Sequence, residues 1–174
     1  MAAVTAADGL RLARQGYEGA AAAWADGAEL VYGPLADALL ARAPAVAGRV
    51  VLDVGAGTGA VSRRLVAAGA STVAVDASWP MLAHDASSRP PAVVGDISRL
   101  PLVDDAVDGA AAAFVLNHLA DPVVALVEMR RVVRRGGFIV ASVFSIAQPA
   151  AAKSAIDGAL AAAGWEPPDW YRFF

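Results

Sequence analysis

The spacing of apolar and polar positions changes once along the chain, near Arg49. Before it, Leu10, Ala13, Tyr17, Ala20 and Trp24 recur on one helical face. Asp26-Gly27 then reads as a break, and Gly33-Pro34 suits the first turn of a second helix that runs through Leu35, Leu39 and Leu40 to a stop at Pro44. Beyond Arg49, short apolar runs alternate with helical segments, the pattern of βα units that feed a parallel sheet. Strands are expected at 50–54, 72–75, 92–94, 109–115 and 137–143, with helices at 58–68, 79–87 and 122–135 between them. The last of these helices is the best bounded. Asp121 caps it, Pro122 sits in its first turn, Val123, Leu126, Val127, Val132 and Val133 supply its apolar face, and Gly136-Gly137 ends it. One more alanine-rich helix is expected over 147–163. The chain thus divides into a helical cap (1–48), an α/β core (49–146) and a C-terminal helix with an aromatic tail (147–174).

Composition narrows the class. A chain of 174 residues with 14 Lys+Arg against 17 Asp+Glu suits a single domain. It can bury roughly 70% of the surface of its unfolded form without staples. The absence of cysteine excludes disulfide scaffolds, thiolate zinc sites and cysteine nucleophiles, and no metal site is expected. Alanine, roughly a quarter of the residues, inflates the 57% hydrophobic fraction, and no stretch reads as a membrane span. No basic region precedes an apolar run at the N-terminus, so a cytoplasmic location is expected. With pI about 5.3, no electrostatic track for nucleic acid is expected. The one basic cluster, Arg130, Arg131, Arg134 and Arg135, reads as a solvated helix end whose last two arginines complement the helix dipole.

Three strand ends carry the candidate chemistry. Val50-Val51-Leu52-Asp53-Val54-Gly55-Ala56-Gly57-Thr58-Gly59-Ala60 is a buried strand running into a glycine turn and a helix, which brings backbone N–H groups beside a ligand. Gly55-x-Gly57-x-x-Ala60 formally satisfies a dinucleotide fingerprint. Asp53 argues against it, because a carboxylate repels a pyrophosphate and attracts a ligand bearing an ammonium and a sulfonium. Asp76, 23 residues further on, ends the second strand beside this turn and can take both hydroxyls of a ribose; the alternative is a helix cap. Gly95-Asp96-Ile97 ends the third strand, where Asp96 can accept from an exocyclic amine while Ile97 packs on a base. Met81 covers the base's other face or packs in the core. His84 reads as a surface residue.

Asp53-x-Gly55-x-Gly57-x-Gly59, then Asp76, then Gly95-Asp96, in this order, resemble the class I S-adenosylmethionine-dependent methyltransferases. The stretch from Leu100-Pro101 through Asn117-His118-Leu119-x-Asp121-Pro122 to Arg134-Arg135-Gly136-Gly137 is similar to their small-molecule branch. The resemblance covers about residues 30–145. It implies a Rossmann-like, doubly wound, mostly parallel α/β sheet with S-adenosyl-L-methionine across the strand C-terminal ends. Gly55 and Gly57 would border the methionyl end and Asp53 would orient its ammonium group. Asp76 would hold the ribose and Asp96 with Ile97 the adenine, with Thr58, Gly59, Ala77 and Met81 completing the cofactor-binding set. Tyr17 and Tyr32 fall where the family often places a covering helix; ordinary packing is the alternative.

Asn117 and His118 fall where such enzymes face the reacting methyl group, so they are the candidate catalytic residues. The chain lacks the Asn/Asp-Pro-Pro-aromatic signature of base-amino methylation, which leaves a small-molecule acceptor. A histidine of ordinary pKa, about 6.5, would serve a phenol-like acceptor as a base; a structural histidine is the alternative. The expected activity is methyl transfer to a small molecule, and the rival is a catalytically silent S-adenosylmethionine-binding or partner-buttressing protein. The family's sheet has two further strands, whereas residues 146–174, with Pro149, Pro167 and Pro168, hold no alternating run. The expectation is therefore a sheet truncated after its fifth strand. Its exposed edge at 137–143 would pair in a homodimer or be covered by residues 147–174, whose aromatic tail includes Trp165, Trp170, Tyr171, Phe173 and Phe174.

Overall fold

A computed structural model describes residues 17, 19–84, 86–144, 151–164 and 166. Leu10 and Ala13, and the aromatic tail at Trp165, Trp170, Tyr171, Phe173 and Phe174, lie outside the described residues. The core is a five-stranded, all-parallel sheet of β1 (Val50–Val54), β2 (Ser71–Asp76), β3 (Ala92–Val94), β4 (Val107–Ala113) and β5 (Val133–Ser142). The order across it is β3-β2-β1-β4-β5. The helices are α1 (Glu29–Leu40), α2 (Ala60–Ala67), α3 (Trp79–Ala83), α4 (Pro122–Val132) and α5 (Ala151–Ala162). β5 is the outer strand of the described sheet. No helix among the described residues is long and apolar enough to cross a membrane.

Strands covered on both faces need apolar residues at nearly every position, and β1 meets that demand: Val51, Leu52 and Val54 are all fully buried. Alternation then assigns faces. Leu52 and Val54 pack with Val75, Ala110 and Ala112 against Met129 and Val132 of α4. Val51 packs with Ala111 against Ala36 of α1 and Val61 and Leu65 of α2. Asp53 has the parity of Val51, so its carboxylate lies on the α2 face, where Ser62 Oγ donates to it at 2.6 Å.

Several boundaries differ from those expected. Asp26-Gly27 does not break the first helical run. A turn at Ala21–Ala23 passes through a π-helical segment, Trp24–Ala28, directly into α1. The wide π turn absorbs the extra residue that would otherwise end the helix. Pro34 lies inside α1 rather than at its start, on the exposed side, where a carbonyl left without its donor can be hydrated. Gly33 is buried there against Arg64 of α2, whose Nη2 would lie 2.7 Å from a Cβ at this position. Arg64 in turn donates to Asp37 at 2.6 Å, and Arg63 pairs with Glu29. These contacts seat α1 on α2 and carry Trp24 and Tyr32 over the C-terminal ends of the strands.

α4 ends at Val132, before Gly136-Gly137, because the buried Val133 enters β5 opposite Val107. A bulge follows, in which β5 advances five residues while β4 advances two, with Gly136 at φ +78°. Arg134 and Arg135 therefore lie on a strand and not at a helix end. Arg134 pairs with Asp108, and Arg131, held by Glu128 of the same helix, ties α4 to the loop after β3 by donating to the Leu100 and Leu102 carbonyls and to Asp104. That network fixes the loop carrying Ile97. β4 stops at Ala113, one residue before Phe114 at φ +57°. α3 is shorter than expected, and half-buried His84 follows it off the cleft.

Candidate functional site

A cleft of about 1020 Å3, counting its open mouth, lies over the C-terminal ends of β1, β2 and β4. Backbone bonds draw its parts together. Gly55 and Ala56 N–H donate to the Val75 carbonyl at 2.8 and 3.1 Å, and Gly95 N–H donates to the Asp76 carbonyl at 2.9 Å. The glycine turn, the end of β2 and the end of β3 are thus held side by side.

Gly55, Gly57 and Gly59 all have positive φ, from +55° to +93°. At Gly55 the need is also spatial, since a Cβ would lie 2.3 Å from Val115 Cγ2 in the loop after β4. Gly55→Ala combines backbone strain with overpacking, and a loss of roughly 2–4 kcal/mol of stability is expected. Urea denaturation should show it as a lower midpoint with an unchanged slope.

Asp53 and Asp76 both line the cleft, and the described lining holds no lysine or arginine. Asp53 is 1% exposed. Burial pushes its pKa up to about 7 against the opposing Ser62 bond, with the nearby Asp76 charge adding to the rise. The Asp76 carboxyl is also raised by burial, against the N–H bonds of Ser78 and Gly57. Those donors stand at 2.8 Å each, on Oδ1 and Oδ2. The cap of α3 is Ser78, whose Oγ accepts from Met81 N–H at 3.4 Å.

Of the residues singled out in the sequence, Asp53, Gly55, Gly57, Asp76, Ala77, Met81, Ile97 and His118 come together around the cleft. Thr58, Gly59, Asp96 and Asn117 are not among its lining residues. Thr58 Oγ1 is buried in the glycine turn without a hydrogen-bond partner among the described residues. Gly59 is the N-cap of α2. Asp96 Oδ1 accepts from the Ser98 N–H and hydroxyl at 2.8 and 2.6 Å. Asn117 turns toward the end of β5, its Oδ1 accepting from Phe144 N–H at 3.2 Å.

The other half of the cleft is aromatic. Trp24 stacks on Tyr32 with centroids 5.0 Å apart, Tyr32 meets Phe114 edge-on at 5.3 Å, and Phe114 lies 4.5 Å from Phe144. Tyr17 Oη lies 3.1 Å from His118 Nε2 and bridges Trp24 to the turn after β4. Burial pushes the His118 pKa down to about 4 and raises that of Tyr17, so both are neutral at pH 7. Sequence reasoning missed Phe114, Val115 and Ser62. Ser62 had a signal, a polar residue between Val61 and Leu65 on an otherwise apolar helix face.

A doubly wound sheet with a glycine turn after its first strand and a cleft at the switch point defines a ligand-binding α/β domain. Residues 52–141, just over half of the chain, match the methyltransferase domain family, and the chain belongs to that family. It is 45% identical over 98 residues to a demethylmenaquinone methyltransferase of Mycolicibacterium paratuberculosis, covering 56% of this chain and 43% of that protein. The chain therefore spans less than half the length of this curated relative. Among solved structures, it is similar to a chain of the complex between a methyltransferase activator and a methyltransferase from Haloferax volcanii. There the TM-score is 0.68 at 28% identity, over 75% of this chain and 59% of that one. An S-adenosylmethionine-dependent methyltransferase from Mesorhizobium loti gives a TM-score of 0.57 at 28% identity, over 62% and 52% of the two chains.

Family membership implies S-adenosyl-L-methionine as the cofactor, and the cleft fits it. Two buried carboxyl groups with no cation in the described lining suit a cationic nucleoside and oppose a pyrophosphate. The turn brings backbone close, and Ile97 and Met81 offer apolar surface for a base.

Proposed function

We propose that this domain binds S-adenosyl-L-methionine and transfers its methyl group to a small molecule of the quinol kind. The observation that carries the reading is the acidic, cation-free nucleoside half of the cleft beside an aromatic half. The acceptor class is supported by the activity named for the mycobacterial relative. The bound cofactor supplies an electrophilic methyl group on a sulfonium.

The chain's own residues bind, orient and exclude water. Asp53 holds the ammonium, Gly55 and Gly57 border the methionyl chain, and Asp76 takes the ribose hydroxyls. Ile97 and Met81 flank the adenine, and Asp96, with Oδ1 engaged by Ser98, would offer Oδ2 to its amine. Tyr17, Trp24 and Tyr32 cover the reacting region from the α1 side. Asn117 acts as a positioning residue by fixing the turn that carries His118.

His118 works as a hydrogen-bonding group. With its pKa near 4, taking a proton outright from a phenol of pKa about 10 would be uphill by about 8 kcal/mol. Catalysis then rests on collinear positioning and water exclusion. S-adenosyl-L-methionine would supply the methyl carbon and keep the carbon–sulfur electron pair on sulfur, so the chain's residues serve to hold the acceptor's oxygen or ring carbon in line with that bond. The proton that the methyl group replaces, from the hydroxyl in transfer to oxygen or from the ring carbon in transfer to carbon, goes to solvent past the Tyr17–His118 pair. Accordingly, kcat at saturating S-adenosyl-L-methionine, where the ligand holds Asp53 ionised, should show no ascending limb near pH 6.5, where a histidine base of ordinary pKa would place one.

The test is transfer of radiolabelled methyl from S-adenosyl-L-methionine to reduced demethylmenaquinone, followed in an organic extract. Labelled quinol that depends on intact Asp76 is expected. No label despite undiminished binding of S-adenosylhomocysteine would overturn the transfer and leave a silent cofactor-binding protein.

A further inference from the structure

The sheet order divides the cleft. The glycine turn, Asp76 and Ile97 belong to the β1, β2 and β3 ends, while Phe114, Val115 and His118 follow β4 on the other side of the switch point. Two backbone irregularities serve that second side. The π-helical segment begins at Trp24, and Phe114 holds a left-handed φ of +57°, rare for a bulky residue. Both rings meet Tyr32 and line the same cleft. These rings do not form a closed core: Trp24 and Tyr32 are half-buried, and Phe144 behind Phe114 is 37% exposed.

We propose that Trp24, Tyr32 and Phe114 form the wall of an acceptor subsite for a flat, uncharged fused-ring phenol, whose hydroxyl bonds to the Tyr17–His118 pair. The wall offers stacking surface on one side. The polar pair at its end, 3.1 Å apart, can donate to or accept from a hydroxyl through Tyr17 Oη, according to the His118 tautomer. Anionic acceptors are disfavoured, because the described lining has no lysine or arginine and the only charged groups in it are carboxylates. Burial keeps the pair neutral, which suits a neutral partner. The inference rests on the proposed function for the reaction, but not for the binding of the ring.

The test is calorimetric titration of 1-naphthol, naphthalene and 1-naphthoate into the protein, with and without S-adenosylhomocysteine. Saturable binding in the order naphthol, naphthalene, naphthoate is expected. Trp24→Ala should weaken naphthol at least tenfold and leave S-adenosylhomocysteine within twofold. Phe114→Gly should do the same, and glycine tolerates the left-handed backbone, so this variant keeps the fold if Trp24→Ala does not. Tyr17→Phe should remove the preference for naphthol over naphthalene. Naphthoate binding as well as naphthol, absence of saturable naphthol binding, or parallel loss of both ligands in Phe114→Gly would each overturn the subsite. Naphthol binding that behaves as expected in a protein that ignores S-adenosylhomocysteine would support the subsite and contradict the cofactor reading alone.

Discussion

Asp53→Asn is expected to raise the melting temperature of the ligand-free protein at pH 8 while lowering its affinity for S-adenosylhomocysteine at least tenfold. The opposite signs come from one buried charge. The carboxyl is 1% exposed with a pKa of about 7, against an ordinary value of 3.8. The folded state therefore binds this proton more tightly than the unfolded state. The associated stability is fully present below about pH 4 and is lost as pH rises through 7. Each pKa unit corresponds to about 1.4 kcal/mol, so the loss is on the order of 4 kcal/mol. Asparagine removes it and can still accept from Ser62 Oγ, so the gain at pH 8 should be roughly 5–10 °C. A ligand ammonium favours the ionised form, so wild-type affinity should fall about tenfold per pH unit below 7, approaching a hundredfold at pH 5. Calorimetry and thermal melts at pH 5, 6, 7 and 8 measure both effects. A destabilised Asp53→Asn with flat, undiminished affinity would make Asp53 a structural partner of Ser62 and nothing more.

Asp76→Ala is expected to weaken S-adenosylhomocysteine by roughly 1.5–3 kcal/mol, about tenfold to a hundredfold, because hydrogen bonds to a charged group are the stronger kind. The same carboxylate accepts from Gly57 and Ser78 N–H at 2.8 Å, so the variant also leaves two donors unmet and melts lower. A double-mutant cycle separates the two effects. An analogue lacking the ribose hydroxyls should bind the wild type as weakly as the full ligand binds Asp76→Ala, and the variant should not distinguish the two ligands. If the variant loses the same factor for both ligands, Asp76 acts only by holding the turn.

The glycine-turn half of this cleft was legible in part, where local rules determine it; Thr58, Gly59 and Asp96, expected there, are not among the lining residues. A buried apolar run must become a central strand, glycines after it must turn, and a carboxylate two residues before the first glycine has the parity that points it toward α2. Of the aromatic half, Tyr17, Tyr32 and His118 were singled out in the sequence, whereas Trp24 and Phe114 were not, because long-range geometry and backbone irregularity bring them to the cleft. Trp24 reaches the cleft only through a π turn in a segment whose Asp26-Gly27 suggested a break. Tyr17 and His118 meet across 101 residues of sequence. Phe114 follows an alanine run that reads as continuing strand, and its left-handed φ has no glycine to announce it. The end of α4 was misplaced for a related reason. Gly136-Gly137 is a sound helix stop, but the pairing of Val133 with Val107 ends the helix sooner, and tertiary pairing overrides a local signal. Burial also changed the chemistry expected of His118, which at its ordinary pKa would have been a base and at about 4 is a hydrogen-bonding group.

The central claim is that an acidic, cation-free cleft selects a cationic nucleoside over a dinucleotide. Isothermal titration of the 174-residue chain at pH 8 with S-adenosyl-L-methionine, S-adenosylhomocysteine and NAD tests it most directly. One-to-one binding of the first two and no detectable heat with NAD is the predicted result. Equal affinity for NAD and S-adenosylhomocysteine, or no binding of either sulfur ligand, would contradict it.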